Sequence, residues 1–385
     1  MPRAVIAAVA RTPIGRARKG SLVSARPDDL CAFAVKKALE QTPALDPAEI
    51  DDVIVGCGFP EGEQGMNLGR RVALLAELPP SVPGTTVNRF CASSLQAVRM
   101  ACHAIAAGEG DAFVAAGVES ISRVAGYPKD ETELHPRLTG PGAIADAYIS
   151  MGMTAENVAE LYGVPRSEMD RFAQRSQERA VAAQRSGFWR REISPYELPD
   201  GTVVDHDDGP RADSTLESLE ALEPTFKQGG TVTAGNSCPL NDGAAAVLVL
   251  SEPKARSAGI EPLARIVSSA VAGVAPEIMG VGPVEAVRKA LERADMAITD
   301  IDFVELNEAF AAQVLAVCTQ IGVDPFSETL NPHGGAIALG HPYGMTGARI
   351  MATLLNDLRA SDQTVGLETM CVGGGQGLAM IVERV

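Results

Sequence analysis

Two similar short stretches decide the fold of this chain: residues 50–55 read IDDVIV, and residues 301–306 read IDFVEL. Three more pairs of similar stretches keep the same order and nearly the same offset, namely 38–40 with 290–292, 91–99 with 341–349, and 111–114 with 363–366. Self-similarity at a fixed separation indicates a repeated structural unit. The sequence therefore predicts two copies of one unit, over residues 1–118 and 265–385.

Strand-like and helix-like segments alternate along the chain. Apolar runs at residues 4–10, 52–55 and 112–117 predict buried strands, whereas residues 29–39 and 93–107 predict helices. This alternation is typical of α/β proteins with internal sheets.

The middle of the chain differs from both units. Residues 119–230 contain an arginine-rich helical run at 166–191 and then polar turns, which indicates an inserted loop domain with a substrate-specific surface. From residue 231 to residue 250 the chain becomes strand-like again. We predict an N-terminal half of residues 1–118 and 231–264, a loop domain of 119–230, and a C-terminal half of 265–385.

Composition excludes several classes of protein. The chain has 385 residues, is 46% hydrophobic and carries a formal net charge of −16, which argues against a nucleic acid or an anionic membrane surface as partner. No apolar stretch approaches the roughly 20 residues that span a bilayer, so no membrane insertion is expected. Seven cysteines without a C-x-x-C pair indicate reduced thiols, no metal site and a cytoplasmic location.

One cysteine stands where a strand-like segment meets a helix. Cys91 follows TTVNRF at residues 85–90 and precedes ASSLQAV at residues 92–98. A thiol at a helix N-terminus lies at the positive end of the helix dipole, which favours the thiolate, and a thiolate is a good nucleophile for thioester exchange. The alternative is a buried structural cysteine, a common role in alanine-rich segments.

Two glycine-rich turns in the C-terminal unit carry further reactive side chains. His341 corresponds to Cys91 in the repeat and precedes a helix predicted to begin near Thr346, and Cys371 precedes VGGGQG. No long helix follows this last glycine run, so it is a poor dinucleotide site, and GRARKGS at residues 15–21 does not match a phosphate-binding loop.

These segments together resemble the thiolase family. The resemblance rests on NRFCASS at 88–94, NEAF at 307–310, GHP at 340–342 and CVG at 371–373, with support from RTPIG at 11–15, MGMTAEN at 151–157, TAGN at 233–236 and NDGA at 241–244. It covers the whole chain. It implies an α/β fold in which two pseudo-symmetric halves form a five-layer αβαβα sandwich with an inserted loop domain, assembled as a homodimer or homotetramer.

The resemblance also implies a chemistry. Cys91 would take an acyl group from a CoA thioester after His341 accepts its proton, and Cys371 would move a proton at C2 of the other substrate. One oxyanion would be held by His341 with a water on Asn307, and the other by the N–H groups of Cys91 and Gly373. The expected reaction is ping-pong thiolysis of 3-ketoacyl-CoA or condensation of two acyl-CoA molecules, with coenzyme A as substrate and no tightly bound cofactor.

Contacts to coenzyme A carry over from the family residue by residue. The positions that match are Met151, Ala309 and Phe310 along the pantetheine channel, Arg211 at the adenine end, and Ala234, Gly235 and Cys238 on the segment near the pantetheine.

The chain departs from biosynthetic thiolases at three places. It has Cys238 where many have serine, Ser150 where they have histidine, and a shorter segment over residues 120–150. These departures favour a degradative or broad-chain enzyme of fatty acid β-oxidation, and a dimer.

Two other functions remain open from the sequence. A ketoacyl synthase shares the fold, but it lacks a second cysteine such as Cys371 and uses histidine or asparagine instead. A non-catalytic acyl-CoA or lipid carrier would be expected to lose a catalytic residue, whereas Cys91, Asn307, His341 and Cys371 are all present.

Overall fold

The computed structural model describes residues 3–124 and 131–385. Its strands are β1 (Ala4–Arg11), β2 (Gly15–Arg16), β3 (Asp52–Gly56), β4 (Gly84–Val87), β5 (Ala112–Ser120), β6 (Tyr196–Glu197), β7 (Val203–Val204), β8 (Asn241–Ser251), β9 (Ala264–Gly273), β10 (Phe303–Leu306), β11 (Val365–Val372) and β12 (Gln376–Arg384).

The helices lie between these strands. They are α1 (Pro27–Leu39), α2 (Leu68–Leu75), α3 (Ser93–Ala107), α4 (Met151–Tyr162), α5 (Arg166–Ser186), α6 (Leu216–Glu220), α7 (Glu252–Ala258), α8 (Gly282–Ala294), α9 (Ala311–Ile321), α10 (Ala336–Leu339) and α11 (Thr346–Ala360).

The strands pair as two copies of one arrangement. In the N-terminal copy β3 runs parallel to β5, β5 is antiparallel to β8, and β8 is antiparallel to β1. In the C-terminal copy β10 runs parallel to β11, β11 is antiparallel to β12, and β12 is antiparallel to β9. The copies join where Val5 pairs with Arg265 and Ile6 with Ala264. The predicted internal repeat is thereby confirmed strand by strand.

Three buried clusters separate the layers. One lies between the two sheet halves, around the inner helices α3 and α11. A second lies under α1 and α2, and a third under α8 and α9. Helices, sheet, inner helices, sheet and helices therefore form the five expected layers, and both inner helices begin near the centre of the molecule.

Two predictions about the middle of the chain need correction. The helical run 166–191 is α5 up to Ser186, followed by a short 3₁₀ turn at Phe188–Arg191, because Gly187 adopts a left-handed conformation (φ 78°) that ends the helix. The strand predicted from residue 231 begins only at Asn241, and the preceding segment is irregular. The boundaries of the three domains remain predictions.

No helix within residues 3–124 and 131–385 combines the length and the apolar character that a membrane crossing needs.

Candidate active site

Cys91 lies in a tight turn between β4 and α3. The turn is fixed by Ser93, whose Oγ accepts from the Arg89 N–H (2.9 Å) and donates to the Phe90 carbonyl (2.7 Å). Asn88 Oδ1 accepts from the Phe90 N–H at 2.7 Å. Phe90 has φ 41°, a conformation that costs a bulky residue energy and that clusters at functional sites. The local sequence thus holds the thiol in one position just before the helix.

Burial governs the charge of this thiol. It raises the pKa of Cys91 to about 12, although the N–H groups of Gly373 and of Cys91 itself donate to the sulfur and oppose that rise. Desolvation therefore outweighs the helix terminus and the N–H groups, which favour the thiolate. Cys91 rests as a thiol, so its predicted role as nucleophile requires a base. The same two N–H groups are the donors predicted for the second oxyanion.

His341, the predicted base, lies in the turn after α10. Its backbone N–H donates to Asn241 Oδ1 (3.0 Å), and its ring Nδ1 lies 2.7 Å from Thr346 Oγ1. Thr346 Oγ1 donates its own hydrogen to the Pro342 carbonyl (2.8 Å), so the hydroxyl must accept from Nδ1–H. This assigns the proton to Nδ1 and leaves Nε2 free to accept one. Burial lowers the pKa of His341 to about 3, with Arg349 as a further cause, so the ring is neutral.

Asn307 contacts Nε2, the ring nitrogen of His341 that carries no proton. Its Nδ2 lies 3.3 Å from His341 Nε2, and its own N–H donates to the Thr369 carbonyl (3.0 Å). The side-chain Oδ1 is buried and has no hydrogen-bond partner among the described residues. Because a buried amide oxygen is costly to leave unpaired, it suits the water that the resemblance implies at this position.

The starts of the two inner helices are joined directly. The Ala348 N–H, in the first turn of α11, donates to Ser94 Oγ in the first turn of α3 at 2.9 Å. Gly344 also approaches β5 closely, since a Cβ there would lie 2.3 Å from the Val118 carbonyl oxygen. The repeat therefore brings the Cys91 and His341 turns to the centre of the molecule.

Cys371 lies near the end of β11, opposite Gly377 of β12. It is fully buried in an apolar cluster with Ala309, Phe310 and Met151. Burial raises the pKa of the Cys371 thiol well above its usual value, and negative charge on Cys91 or Cys238 would raise it further. Cys371 is therefore a protonated thiol at neutral pH, next to the predicted nucleophile.

Cys238 is a third thiol at this centre. Its N–H donates to the Ala309 carbonyl at 3.0 Å, and the neighbouring residues Ser237 and Phe310 form a β-bridge. Burial raises its pKa, with Cys91 as the next cause. The segment predicted to meet the pantetheine thus lies beside the catalytic cysteines. Gly235 faces elsewhere, because a Cβ on it would meet Leu219 and Leu222 near α6.

Glu119 is a buried carboxylate that the sequence analysis did not single out. Its Oε1 accepts from Gln64 Nε2 (2.6 Å) and the Phe59 N–H (3.2 Å), and its Oε2 accepts from the N–H groups of Gly58 (2.8 Å) and Gly344 (3.0 Å). Burial raises the pKa of Glu119, and these donors oppose the rise. One side chain therefore ties the loop after β3 to the turn that follows His341.

A cavity of about 490 Å³ opens at the nucleophile. Cys91, Gly373 and Met151 lie on its wall, so three predicted site residues meet there. Its volume lies in the range of small-molecule binding sites. Most of the remaining wall is apolar or aromatic, which suits an acyl chain.

A second cavity, of about 340 Å³, is basic. Arg211 and Ala234, both predicted contacts of coenzyme A, line it together with Arg16, Arg18 and Lys19. Arg16 and its neighbours come from the segment 15–21, which the motif analysis had set aside. In a chain of net charge −16, four cations around one cavity indicate an anionic ligand.

Thr346 and Glu119 were missed as site residues for different reasons. Thr346 could have been suspected from its position five residues after His341, at the start of a helix. Glu119 corresponds to Cys371 in the repeat, which was the available signal. Among the described residues no cluster of three or more His, Cys, Asp or Glu side chains is arranged to hold a metal ion.

Comparison with known proteins agrees with this architecture. Residues 4–253 match the family described as "Thiolase, N-terminal domain", and residues 260–384 match "Thiolase, C-terminal domain". The chain belongs to the thiolase family. Its fold is also that of the acetyl-CoA acetyltransferase of Bacillus anthracis, with a TM-score of 0.92 and 39% identity over 100% of this chain and 99% of that one.

Curated relatives carry thiolase names. The β-ketoadipyl-CoA thiolase of Pseudomonas aeruginosa is 47% identical over 97% of both chains. The 3-ketoacyl-CoA thiolase of Bacillus subtilis is 43% identical over the full length of both. The chain is accordingly a thiolase, an acyltransferase that acts on CoA thioesters, and the ketoacyl synthase and carrier alternatives are not favoured.

Proposed function

We propose that this thiolase works mainly in the degradative direction: it cleaves a 3-ketoacyl-CoA with free coenzyme A, through an acyl group on Cys91. The roles of the two cysteines rest on the protonated, fully buried Cys371 next to Cys91, and the degradative direction rests on the departures from biosynthetic thiolases at Ser150, Cys238 and the segment 120–150. Cleavage produces a carbanion at C2, which needs an acid, and the reverse condensation needs the conjugate base at the same place. Cys371 supplies the acid as a thiol and the base as a thiolate.

In the first half-reaction Cys91 Sγ attacks the C3 carbonyl while its proton moves to Nε2 of His341. The Nδ1–H bond to Thr346 leaves Nε2 as the accepting nitrogen. Negative charge develops on the carbonyl oxygen and is stabilised by preorganised donors, which is commonly a large part of enzymatic rate enhancement. The C2–C3 bond then breaks, and Cys371 donates its proton to C2 and releases acetyl-CoA.

In the second half-reaction coenzyme A collects the acyl group. The Cys371 thiolate accepts the proton of the incoming CoA thiol, whose sulfur attacks the acyl-Cys91 carbonyl. The C–S bond to Cys91 breaks, and the Cys91 sulfur regains its proton from His341. Both cysteines and the histidine return to their resting protonation states, so no external proton or cofactor is consumed.

Binding of coenzyme A is assigned to the basic cavity. Arg16, Arg18, Lys19 and Arg211 offer positive charge to the phosphates of the nucleotide end. Burial lowers the pKa of Arg211, and nearby Arg16 lowers it further, so an anion between them is favoured electrostatically. The pantetheine would then pass Ala234, Cys238 and the Ala309–Phe310 pair toward Cys91, whereas Gly235 faces Leu219 and Leu222 instead.

The setting of the enzyme follows from the family resemblance. We infer a cytoplasmic homodimer or homotetramer that serves β-oxidation. Edge strand β4 pairs only with β3 among the described residues, which leaves one side of the sheet for a second copy. The division into halves 1–118 with 231–264 and 265–385 around a loop domain of 119–230 is part of the same proposal.

The proposal is tested by locating the acyl group. Incubation with acetyl-CoA should leave an acetyl group on Cys91, read by peptide mass mapping, and Cys91→Ser should lower thiolysis of acetoacetyl-CoA by at least about 10⁴-fold. Cys31→Ser, a buried cysteine of α1, serves as the matched control and should retain thiolysis. A label on Cys371 or Cys238 with Cys91 unmodified would overturn the assignment.

A further inference from the structure

The cavity at Cys91 has an unusual concentration of aromatic side chains. Aromatic residues make up 4% of the chain. Yet four of the sixteen described residues that line this cavity are aromatic, namely Phe59, Phe90, Tyr148 and Tyr343. They come from four separate segments, so no single sequence motif explains their meeting.

Three of these rings form a continuous wall. The Phe59 ring lies edge-on to Phe90 (centroids 6.1 Å apart, planes at 61°) and to Tyr343 (5.7 Å, 75°). Tyr343 in turn lies edge-on to His341 at 5.0 Å. The rings therefore connect the His341 imidazole to Phe90, the residue before Cys91, along the cavity that opens at Cys91. Edge-to-face contact is the arrangement that aromatic rings prefer with one another.

The size of the cavity also exceeds what a short acyl group needs. A cavity of roughly 150 Å³ accommodates a benzene ring, whereas this one measures about 490 Å³. Leu134, Ile149 and Met151 add further apolar surface to the same cavity. An acetyl group would leave most of that space to water, while a tail that ends in a ring would fill it.

The charge of the wall argues against a tail that ends in a carboxylate. Glu61 and Glu133 line the cavity, and the described lining residues include no lysine or arginine. A terminal carboxylate would thus find no cation to pair with on the described wall. The acyl tail that suits this cavity therefore differs from the carboxylate-ended tail in the name of the β-ketoadipyl-CoA thiolase relative.

We propose that the preferred substrates of this enzyme are 3-ketoacyl-CoA thioesters whose acyl tail ends in an aromatic ring. This inference rests on the proposed thiolysis. The reaction balances as before: the C2–C3 bond breaks, a C–S bond forms between the aryl-ended acyl group and coenzyme A, and the CoA proton ends on C2 of acetyl-CoA.

The test compares four substrates with the purified full chain: 3-oxo-6-phenylhexanoyl-CoA, 3-oxodecanoyl-CoA of similar length, 3-oxoadipyl-CoA and acetoacetyl-CoA. We expect kcat/KM for the phenyl substrate to exceed that for the straight chain by roughly threefold to tenfold, and that for 3-oxoadipyl-CoA by more. Equal or higher kcat/KM for either competitor would overturn the inference. Thiolysis of acetoacetyl-CoA without a phenyl preference would leave the proposed function intact, whereas no thiolysis of any substrate would remove both.

Two variants tie the preference to the aromatic lining of the cavity. Phe59→Leu, in the wall, and Tyr148→Leu, outside it, keep apolar volume but remove a ring, so the ratio of phenyl to straight-chain kcat/KM should fall toward one in each. Phe33→Leu is the matched control, because Phe33 packs against Tyr196 away from the cavity lining, and its ratio should stay at the wild-type value. A wild-type ratio in whichever of the two lining variants folds would contradict the proposed role of the rings.

Discussion

Glu119 and Cys371 occupy corresponding places in the two halves of the molecule and do different work. Each lies near the end of the central strand that pairs parallel on one side and antiparallel on the other, β5 in one half and β11 in the other. Glu119 collects hydrogen-bond donors from three chain segments. Cys371 lies among apolar side chains.

The difference shows that equivalent positions in a duplicated unit can have different functions. A carboxylate surrounded by N–H donors is rigidly held, and it is suited to fix loops. A thiol in an apolar cluster stays protonated, and it is suited to give up a proton when a carbanion forms beside it. The duplicated fold supplies the position, and the side chain there decides between support and chemistry.

Replacement of Cys371, the residue proposed to transfer a proton, should have the largest effect on activity. Cys371→Ala should lower thiolysis of acetoacetyl-CoA by ~10²–10⁴-fold, the usual contribution of general acid–base catalysis. Exchange of acetyl groups between acetyl-CoA and labelled coenzyme A should change much less, because no C–C bond breaks in it and the proton of the CoA thiol, unlike that of C2, can pass to solvent without Cys371. Both rates are measured on each variant.

Cys102→Ala provides the control for that experiment, since this partly exposed thiol of α3 lies outside the site. It should retain both rates. If Cys371→Ala lost exchange as completely as thiolysis while still folded, Cys371 would be a support like Glu119, and the contrast between the halves would disappear.

Replacement of Glu119, the residue that holds the loops, should lower both the stability of the protein and its selectivity among substrates. Glu119→Gln replaces one acceptor oxygen by an NH₂ group that faces N–H donors, so we expect the free energy of unfolding to fall by about 2–4 kcal/mol. Because the Gly58–Phe59 loop forms part of the acyl cavity, KM for long-tailed substrates should rise about tenfold while KM for acetoacetyl-CoA rises less. Denaturant unfolding and steady-state kinetics measure the two effects.

Glu63→Gln is the control in the same loop, because this more exposed carboxylate only pairs with surface arginines. Its unfolding free energy should change by less than about 1 kcal/mol. A Glu119→Gln variant with unchanged stability and equal shifts in KM for all substrates would show that Glu119 is not a clamp.

The smallest expected effect sharpens the assignment of the histidine. Thr346→Val removes the acceptor for Nδ1–H, so the proton can move to Nε2 and block the accepting nitrogen; kcat should fall by about fivefold to tenfold. Thr346→Ser retains the hydroxyl and should restore kcat. Steady-state thiolysis compares the two, and a serine variant as impaired as the valine variant would point to packing rather than hydrogen bonding.

Much of the fold could be predicted from the sequence, because the same strand and helix pattern occurs in both halves of the chain. The stretches at 50–55 and 301–306 become β3 and β10, and both inner helices begin where the repeat places them, at Ser93 and Thr346. Cys91, His341 and Cys371 were singled out from motifs at the ends of these elements; the structure joins the first turns of the two inner helices that follow Cys91 and His341 and places Cys371 close to Cys91, while the roles of the three side chains remain predictions.

What the sequence could not supply depends on burial and on distant contacts. The extent to which burial raises the pKa of Cys91 could not be predicted, because desolvation is invisible in a local motif. The aromatic wall could not be foreseen because Phe59, Phe90 and Tyr343 approach one another only through the tertiary fold. The irregular segment before Asn241 was misjudged because its apolar residues pack as a loop against the site.

The position of β8 sets the order in which the enzyme can be completed during synthesis. This strand lies between β1 and β5 at the heart of the N-terminal half, yet it follows the entire loop domain in the chain. The first half therefore stays an open sheet on the ribosome until residue 251 has emerged, whereas the second half is continuous in sequence and can close as a unit. Because Asn307, His341 and Cys371 all belong to that last unit, a nascent chain can display its nucleophile long before it can perform a turnover.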